Sequence, residues 1–479
     1  MFEVEVSSIS PTRYREVFST ERYEAFERGM REGEKLLAGR VVWNINSTPR
    51  GGGVVELLKP LLAYARGAGV DARWLVIEGP PEFFTVAKRI FNCLQGAHGD
   101  GGALDLAARD IYEQVAAANA ASLAERVRPG DVVIVHDHQP AGLITALQAL
   151  GVSVIWRCHV GLDRPNQVAR EAWNFMHRYV ARADAYVFSR QSFAWDNLDR
   201  DRVVVIAPSI DVFSPKNEDL DPASVLGVLR ASAILSDGGE HEASTFTRQD
   251  GTRGRVDRQA ELAEDEPLTA QTPVVVQVSR WDALKDPIGV IRGFAENVPQ
   301  STGAHLICAG PKAAAVADDP EGARVLSESL AFRESLPEGA RRRVHLASLP
   351  LEDPEENAII VNALQHQAQV IAQKSLAEGF GLTVSEAMWK ACPVVASRIG
   401  GIQSQIIDGE SGILLDDSSD LQAFGDAVTG LLLDPGRAEQ IGHRARERVR
   451  DEFSSPRSLL DYLALIRNVL QRNVPLAAA

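Results

Sequence analysis

The sequence predicts an α/β protein made of two doubly wound, Rossmann-like domains. Three observations carry that expectation. Short β-branched runs alternate with amphipathic helical patterns, the runs fall into two series, and 479 residues exceed what one hydrophobic core ordinarily supports.

The first series is VVWNIN (41–46), ARWLVIEG (72–79), DVVIVHDH (131–138), VSVIWRCH (152–159), DAYVFSR (184–190) and RVVVIAPS (202–209), which sets an N-terminal domain over 1–215. Between the series, residues 226–272 turn polar and glycine-dotted. That segment is too poor in apolar residues for a core of its own and reads as an insertion, either a surface loop or a flap. Inside it, an Asp-Gly turn in TFTRQDGTRGRVD signals a hairpin. The second series is PVVVQVSR (273–280), AHLICAGP (304–311), RVHLASL (343–349), AQVIAQKS (368–375), PVVASR (393–398) and SGILLD (411–416), giving a C-terminal domain over 273–455. In the last segment, 456–479, Leu459, Tyr462, Leu463, Ile466, Val469 and Leu470 share one helical face. That helix is expected to cross back to the N-terminal domain.

Composition narrows the partners. Hydrophobic residues make up 45% and charged residues 24%, the balance of a folded globular chain. A net charge of −15 repels phosphate backbones and anionic lipid, so neither nucleic acid nor a membrane is expected as a partner. Cys93, Cys158, Cys308 and Cys392 are widely spaced with no CxxC pair, which argues against a zinc site and a disulfide framework. Without a signal-like apolar stretch at the N-terminus, the expected location is the cytoplasm.

Ligands of open α/β sheets bind beyond the carboxyl ends of the strands, so the run ends are the candidate sites. Gly51, Gly52 and Gly53 follow the first run and permit close backbone approach to a phosphate, or simply a tight turn. They match neither the GxGxxG fingerprint of a nicotinamide dehydrogenase nor a P-loop. His136, Asp137, His138 and His159 end two further runs; HxH on an extended segment puts both rings on one side. Three readings stand there: a metal, strand-end histidines satisfied by backbone, or recognition of a polyol. Arg280 and Lys285 follow the first run of the second series and can meet on one anion, unless Lys285 is merely paired with Asp282 or Asp286. Finally, EGFGLTVSEAMWK holds Glu378 and Glu386. Thr383 three residues before Glu386 is a capping-box signal, whereas capping does not account for Glu378 ahead of Gly379, Phe380 and Gly381.

The spacing of Glu378 and Glu386 inside EGFGLTVSEAMWKACPVVASRIGGI resembles the E-x7-E motif of retaining family 4 glycosyltransferases, whose GT-B fold sets two Rossmann-like domains facing a cleft. NSTPRGGGVVELL, HDHQPAGL, WRCHVGLDRPN, SIDVFSPKN and QVSRWDALKDPIGVI narrow the resemblance to the trehalose synthase group, over about residues 40–450 apart from the insertion. The resemblance implies that Glu386 holds the ribose hydroxyls of a nucleotide and that Glu378, Gly379, Phe380, Gly381 and Leu382 face the donor glucose. It gives the diphosphate to Arg280 and Lys285, with Gly52 and Gly53 approaching the phosphates from the other domain. Asp137, His138, Gln139, Arg157 and His159 fall on the acceptor side. His159, Arg280, Lys285 and Glu378 take the catalytic roles. The group's pattern has proline where His138 stands, and other residues in place of Val160, Gly161 and Leu162.

The implied reaction is glucosyl transfer from a nucleotide-activated glucose to glucose, forming trehalose with retention. Competing expectations are a trehalose phosphorylase, a related transferase with another small acceptor, and a non-catalytic nucleotide-sugar sensor. No obligatory metal or other cofactor is expected, since fixed cations face the diphosphate. The expected partners are a nucleotide sugar and a small sugar acceptor, with a homodimer left open.

Overall fold

The computed structural model describes residues 1–50, 52–238, 244–312 and 320–473. The chain divides into two compact units, one formed by Met1–Ser209 with the segment from Ser455 onward, the other by Ile210–Ser454.

Unit 1 carries β1 (Phe2–Val4), β2 (Val41–Asn46), β3 (Asp71–Val76), β4 (Val132–His136), β5 (Ser153–Arg157), β6 (Ala185–Phe188) and β7 (Val203–Val205) in the order β1-β3-β2-β4-β5-β6-β7. All neighbours are parallel except the β1–β3 pair. Alternation along the strands feeds two cores. Trp43, Ile45, Val133, Val135 and Trp156 pack with the helices Pro81–Leu94, Leu106–Leu123 and Gln167–Val180. Val42, Trp74, Ile134 and Ile155 face the helices Thr20–Leu37, Gly53–Gly67 and Ser455–Asn473, the last contributing Leu465, Ile466 and Val469.

Unit 2 carries a small hairpin, β8 (Thr245–Thr247) and β9 (Arg253–Arg255), and a second seven-stranded sheet. That sheet comprises β10 (Glu261–Ala263), β11 (Val274–Val278), β12 (His305–Pro311), β13 (Val344–Leu349), β14 (Val370–Gln373), β15 (Val394–Ser397) and β16 (Ile413–Leu415), ordered β10-β13-β12-β11-β14-β15-β16. Val275, Leu306, Val370 and Val395 build its core with Ile291, Phe294, Phe424 and Val428 from the helices Pro287–Asn297 and Leu421–Leu433.

Chain order reverses between β2 and β4 in unit 1 and between β11 and β14 in unit 2. At such switch points the helices on either side diverge and leave a crevice beyond the strand ends. Every run-end candidate of the sequence follows one of these strands or the adjoining β5.

The segment expected as a polar insertion behaves differently from a loop or flap. Its start, 226, falls inside the helix Pro222–Ala231. The hairpin is present, but β10 adds an antiparallel edge strand to β13, and Phe246, Val256 and Leu268 are buried. Polarity here serves attachment. Arg248 pairs with Asp353 and Glu355, and the Glu356 carboxylate accepts the Asp257 and Arg258 amides at 2.7 Å each besides the Arg258 guanidinium. Residues 239–243 of this segment and 474–479 of the C-terminal one lie outside the described residues. The N-terminal strand β1 and the helix Thr20–Leu37 have no counterpart in the two predicted series.

Because Glu356 is buried and holds two backbone amides, Glu356→Leu should lower the unfolding free energy by about 2 kcal/mol in urea titrations, the cost of stranding such groups. A change under about 0.5 kcal/mol, the scale of an ordinary surface substitution, would show that the attachment does not depend on it.

Candidate active site

In unit 2, two ion pairs cross the switch point. β11 runs into Arg280 and Asp282, and Asp282 caps the short turn Ala283–Lys285 by accepting the Leu284 amide at 2.8 Å. The Lys285 ammonium reaches across to the Glu378 carboxylate beyond β14, both side chains being mostly buried. The next residue, Asp286, adopts a left-handed φ of 52°, caps the helix Pro287–Asn297 through the Gly289 amide at 3.1 Å, and pairs with the fully buried Lys374. Lys374 also donates to the Ser418 carbonyl at 2.6 Å. Asp282 takes Arg280 instead, at 3.1 Å and with the guanidinium 66% exposed. So the alternative in which Lys285 is satisfied by Asp282 or Asp286 is not the arrangement found.

The glycines after Glu378 fold a tight loop. The Gly401 amide donates to the Gly379 carbonyl at 2.7 Å, and the Gln405 side chain donates through Nε2 to the carbonyls of Phe380 at 2.6 Å and Gly381 at 3.2 Å. Gly400 takes φ 47°, and a Cβ there would lie 1.9 Å from the Glu378 carbonyl oxygen. The Phe380 ring is turned inward onto Phe453, so only its backbone lines the loop. Gly381, at φ 81°, stands before the helix Leu382–Trp389 without a side-chain cap. Thr383 therefore lies inside the helix, and the capping-box reading of Glu386 fails. Glu386 is instead buried, its Oε1 3.6 Å from the Lys216 ammonium. One turn on, the buried Lys390 donates to Asn217 Oδ1 at 3.0 Å and to the Glu386 carbonyl at 3.1 Å. Burial lowers its ammonium to about 7, against the pull of Glu386.

In unit 1 the strand tips carry an uncharged relay. His136 bonds Asn44 Oδ1 through Nε2 and His159 Nε2 through Nδ1, both at 3.0 Å. Burial drives His136 down to about 3 and His159 well below its ordinary value, so both rings stay neutral at physiological pH. With the Asn44 oxygen as acceptor, His136 donates through Nε2 and accepts through Nδ1, which leaves His159 donating through Nε2. Asp137 takes φ 63°; its carboxylate accepts the His159 amide at 2.7 Å, while burial raises it to about 6.

That left-handed residue breaks the extended alternation, so His136 and His138 do not share a side as an HxH strand would. His138 turns into the core and donates to the Ala87 carbonyl at 2.8 Å. Arg157 is also buried, its guanidinium on the Ile206 carbonyl at 2.7 Å and Ser189 Oγ at 3.1 Å. Of the five acceptor-side candidates, Asp137, Gln139 and His159 keep partial exposure. Gly52, at φ 82°, precedes the helix Gly53–Gly67 with no side-chain cap, and Gly51 lies outside the described residues. Among the described residues, no three His, Cys, Asp or Glu side chains stand together as a metal would need, and no helix is long and apolar enough to cross a membrane.

Comparison with known proteins bears on both clusters. Residues 44–195 match the family model of the trehalose synthase N-terminal domain, and residues 351–448 match that of glycosyl transferases group 1. The chain is 34% identical to a trehalose synthase of Pyrococcus horikoshii, over 98% of this chain and 99% of that one. This chain belongs to the trehalose synthase family of glycosyltransferases. It is a hexosyltransferase with the GT-B fold. A UDP-forming α,α-trehalose-phosphate synthase of Burkholderia xenovorans shares that fold, with a TM-score of 0.63 at 15% identity, covering 90% of this chain and 99% of that one. A trehalose phosphorylase of Pleurotus pulmonarius is more distant, 26% identical over 86% of this chain and 54% of its own length.

In this family member the sequence reading missed Lys216, Asn217, Lys374 and Lys390. Lys390 had a usable signal, standing four residues after Glu386 on one helix face. Lys374, at the end of a predicted strand, had a weaker one. Lys216 and Asn217 meet the helix only through the fold.

Two outcomes follow from this geometry. Gly400→Ala should cost about 2 kcal/mol in unfolding free energy, since it forces a side chain to a left-handed φ and against a carbonyl; unchanged stability would mean that the loop yields freely. For Lys390, the native ammonium titrates near 7 and the unfolded one near 10.5, so between those values the unfolded state binds more protons and stability rises with pH. Wild type should gain on Lys390→Met by about 1 kcal/mol per pH unit in that window in urea unfolding. Parallel profiles would exclude Lys390 as the titrating group.

Proposed function

We propose that this family member transfers glucose from a nucleoside-diphosphate glucose to glucose, forming trehalose with retention. The observation that carries the reading is the 34% identity with a trehalose synthase along practically the full length of both chains.

Donor recognition belongs to unit 2. Glu386 accepts the ribose hydroxyls; Lys216 pairs with that carboxylate, and Lys390 holds the helix turn beneath it through the Glu386 carbonyl and Asn217. Arg280 and Lys285 take the diphosphate, and Glu378 holds the Lys285 ammonium in place until phosphate oxygens compete for it. The backbone of Gly379, Phe380 and Gly381 with Leu382 turns toward the donor sugar, and the amides at Gly52 and Gly53, where no side chain caps the helix, meet phosphate oxygens. On the acceptor side, Asp137, Gln139 and His159 meet sugar hydroxyls, while His138 and Arg157 support that tip from within the core.

In the reaction the C1–O bond to the β-phosphate breaks as the acceptor hydroxyl oxygen bonds C1 on the same face. The acceptor proton passes to the departing phosphate oxygen. Negative charge grows on the diphosphate, where fixed cations stabilise it without reorganising, often the largest single catalytic contribution.

Incubation with ADP-, UDP- and GDP-glucose plus glucose should release diphosphate nucleotide and give the anomeric NMR signals of trehalose. Lys285→Ala should cut the rate roughly 100-fold, the scale of losing one charge-stabilising contact. Trehalose consumption that needs inorganic phosphate and no nucleotide would replace the reading with a phosphorylase, and nucleotide-sugar binding without turnover would replace it with a sensor.

A further inference from the structure

Gln405 ends the short helix Ile402–Gln405 fully buried, and both polar atoms of its side chain are used. Nε2 donates to the carbonyls of Phe380 and Gly381, while Oε1 accepts from Ser385 Oγ. The nitrogen of an amide only donates and its oxygen only accepts, so these partners fix a single orientation of the group. The residue is held in turn by Arg448, from the helix Pro435–Glu452, which donates through Nε to the Gln405 carbonyl at 2.7 Å and through Nη2 to the Ser404 carbonyl at 2.9 Å. The partners of the Gln405 side chain lie on opposite sides of a joint. Phe380 and Gly381 belong to the loop that faces the donor sugar in the proposed reaction; Ser385 belongs to the helix Leu382–Trp389, one residue before Glu386. Between them the backbone turns at Gly381, at φ 81° and without a side-chain cap. Glycine has more backbone freedom than any other residue, so such a joint is loose unless something braces it.

We propose that Gln405 is a positioning residue of the transfer reaction: it braces the Gly381 joint and so fixes the donor-sugar loop relative to Glu386. The inference rests on the glucosyl transfer proposed above and gives that reaction a residue that acts through the loop and the helix instead of touching substrate. In a nucleoside-diphosphate glucose the ribose and the glucose are joined covalently through the diphosphate. The two places that receive them must therefore keep one separation, and a misplacement of about 1 Å costs up to about 100-fold in rate. A free diphosphate nucleotide brings no sugar to the loop, so its binding does not depend on the brace.

The test compares the full-length wild type with Gln405→Met, which keeps the length of the side chain and loses its amide. Turnover is measured with ADP-, UDP- and GDP-glucose and glucose as acceptor, and affinity for ADP, UDP and GDP by isothermal titration. Gln405→Met should lower kcat by about tenfold to a hundredfold while nucleotide affinity stays within about twofold of wild type, the pattern of a contribution realised at the reacting centre. Ser385→Ala, which cuts only the helix end of the brace, should lower kcat in the same way, and the double variant should be no slower than Gln405→Met alone. If Gln405→Met does not fold, Ser385→Ala makes the test through the same two measurements. Unchanged kcat, a loss of nucleotide affinity as large as the loss of turnover, or additive losses in the double variant would overturn the proposal. A wild type that turns over none of the three nucleotide glucoses would remove the glucosyl transfer itself, and this role of Gln405 with it.

Discussion

The tip of the second sheet depends on one buried ammonium group. Lys374 ends β14 fully buried, with Asp286 and the Ser418 carbonyl as its partners. Taking such a charge out of water costs several kcal/mol, and a buried ion pair often adds little net stability over apolar packing. What it supplies is position. Asp286 is held in a left-handed conformation that ordinarily costs about 1–3 kcal/mol, and its carboxylate also caps the following helix. Fixing Asp286 fixes its neighbour Lys285, which then finds Glu378. The pairs run in opposite senses across the switch point, so their charges balance locally. Arg280 differs: its partner Asp282 holds it at the surface, where such a pair is worth at most about 1 kcal/mol, so a phosphate can replace that partner at small cost.

The tip of the first sheet is built on the opposite electrostatic principle. Its buried cation, Arg157, donates to carbonyls and a hydroxyl and so brings a positive field without a carboxylate in contact. That field adds to burial in keeping His136 and His159 unprotonated, and the hydrogen-bonded chain from Asn44 to His159 carries no net charge. Neutral donors and acceptors of this kind suit hydroxyl groups. The cationic tip of unit 2 suits phosphate. The difference between the two tips therefore follows from which charges the two sheets bury.

Much of this was legible in the sequence, because period and run length report directly on burial. Among the described residues, the twelve parallel strands follow from β-branched runs, and the E-x7-E stretch marked the family. What stayed hidden depended on contacts between distant residues. His138 and Asp137 are adjacent, yet one is core and the other partly exposed, because Asp137 takes a backbone conformation that the HxH pattern does not encode. Arg157 likewise reads as a ligand-binding cation until its carbonyl partners are seen. The polar stretch at 226–272 reads as a loop or flap because its charges are its means of attachment, and their partners at 353–356 lie about a hundred residues away. A short edge strand such as β10, three residues long, is below the length at which alternation is visible.

The eight-residue separation of the two glutamates is itself a geometric requirement. Glu378 lies in the loop, where Lys285 meets it. Glu386 lies in the second turn of the helix that Gly381 opens by reversing the backbone at positive φ. Each residue turns an α-helix by about 100°, so one added residue between Gly381 and Glu386 would swing that carboxylate away from Lys216 and, with it, Lys390 away from Asn217. One added residue before Gly381 would instead break the contacts that Gly400 and Gly401 make with the loop, because those glycines sit against the backbone of Glu378, Gly379 and Phe380. The spacing is therefore set from both sides, by close backbone packing at the loop and by helical phase at the buried carboxylate.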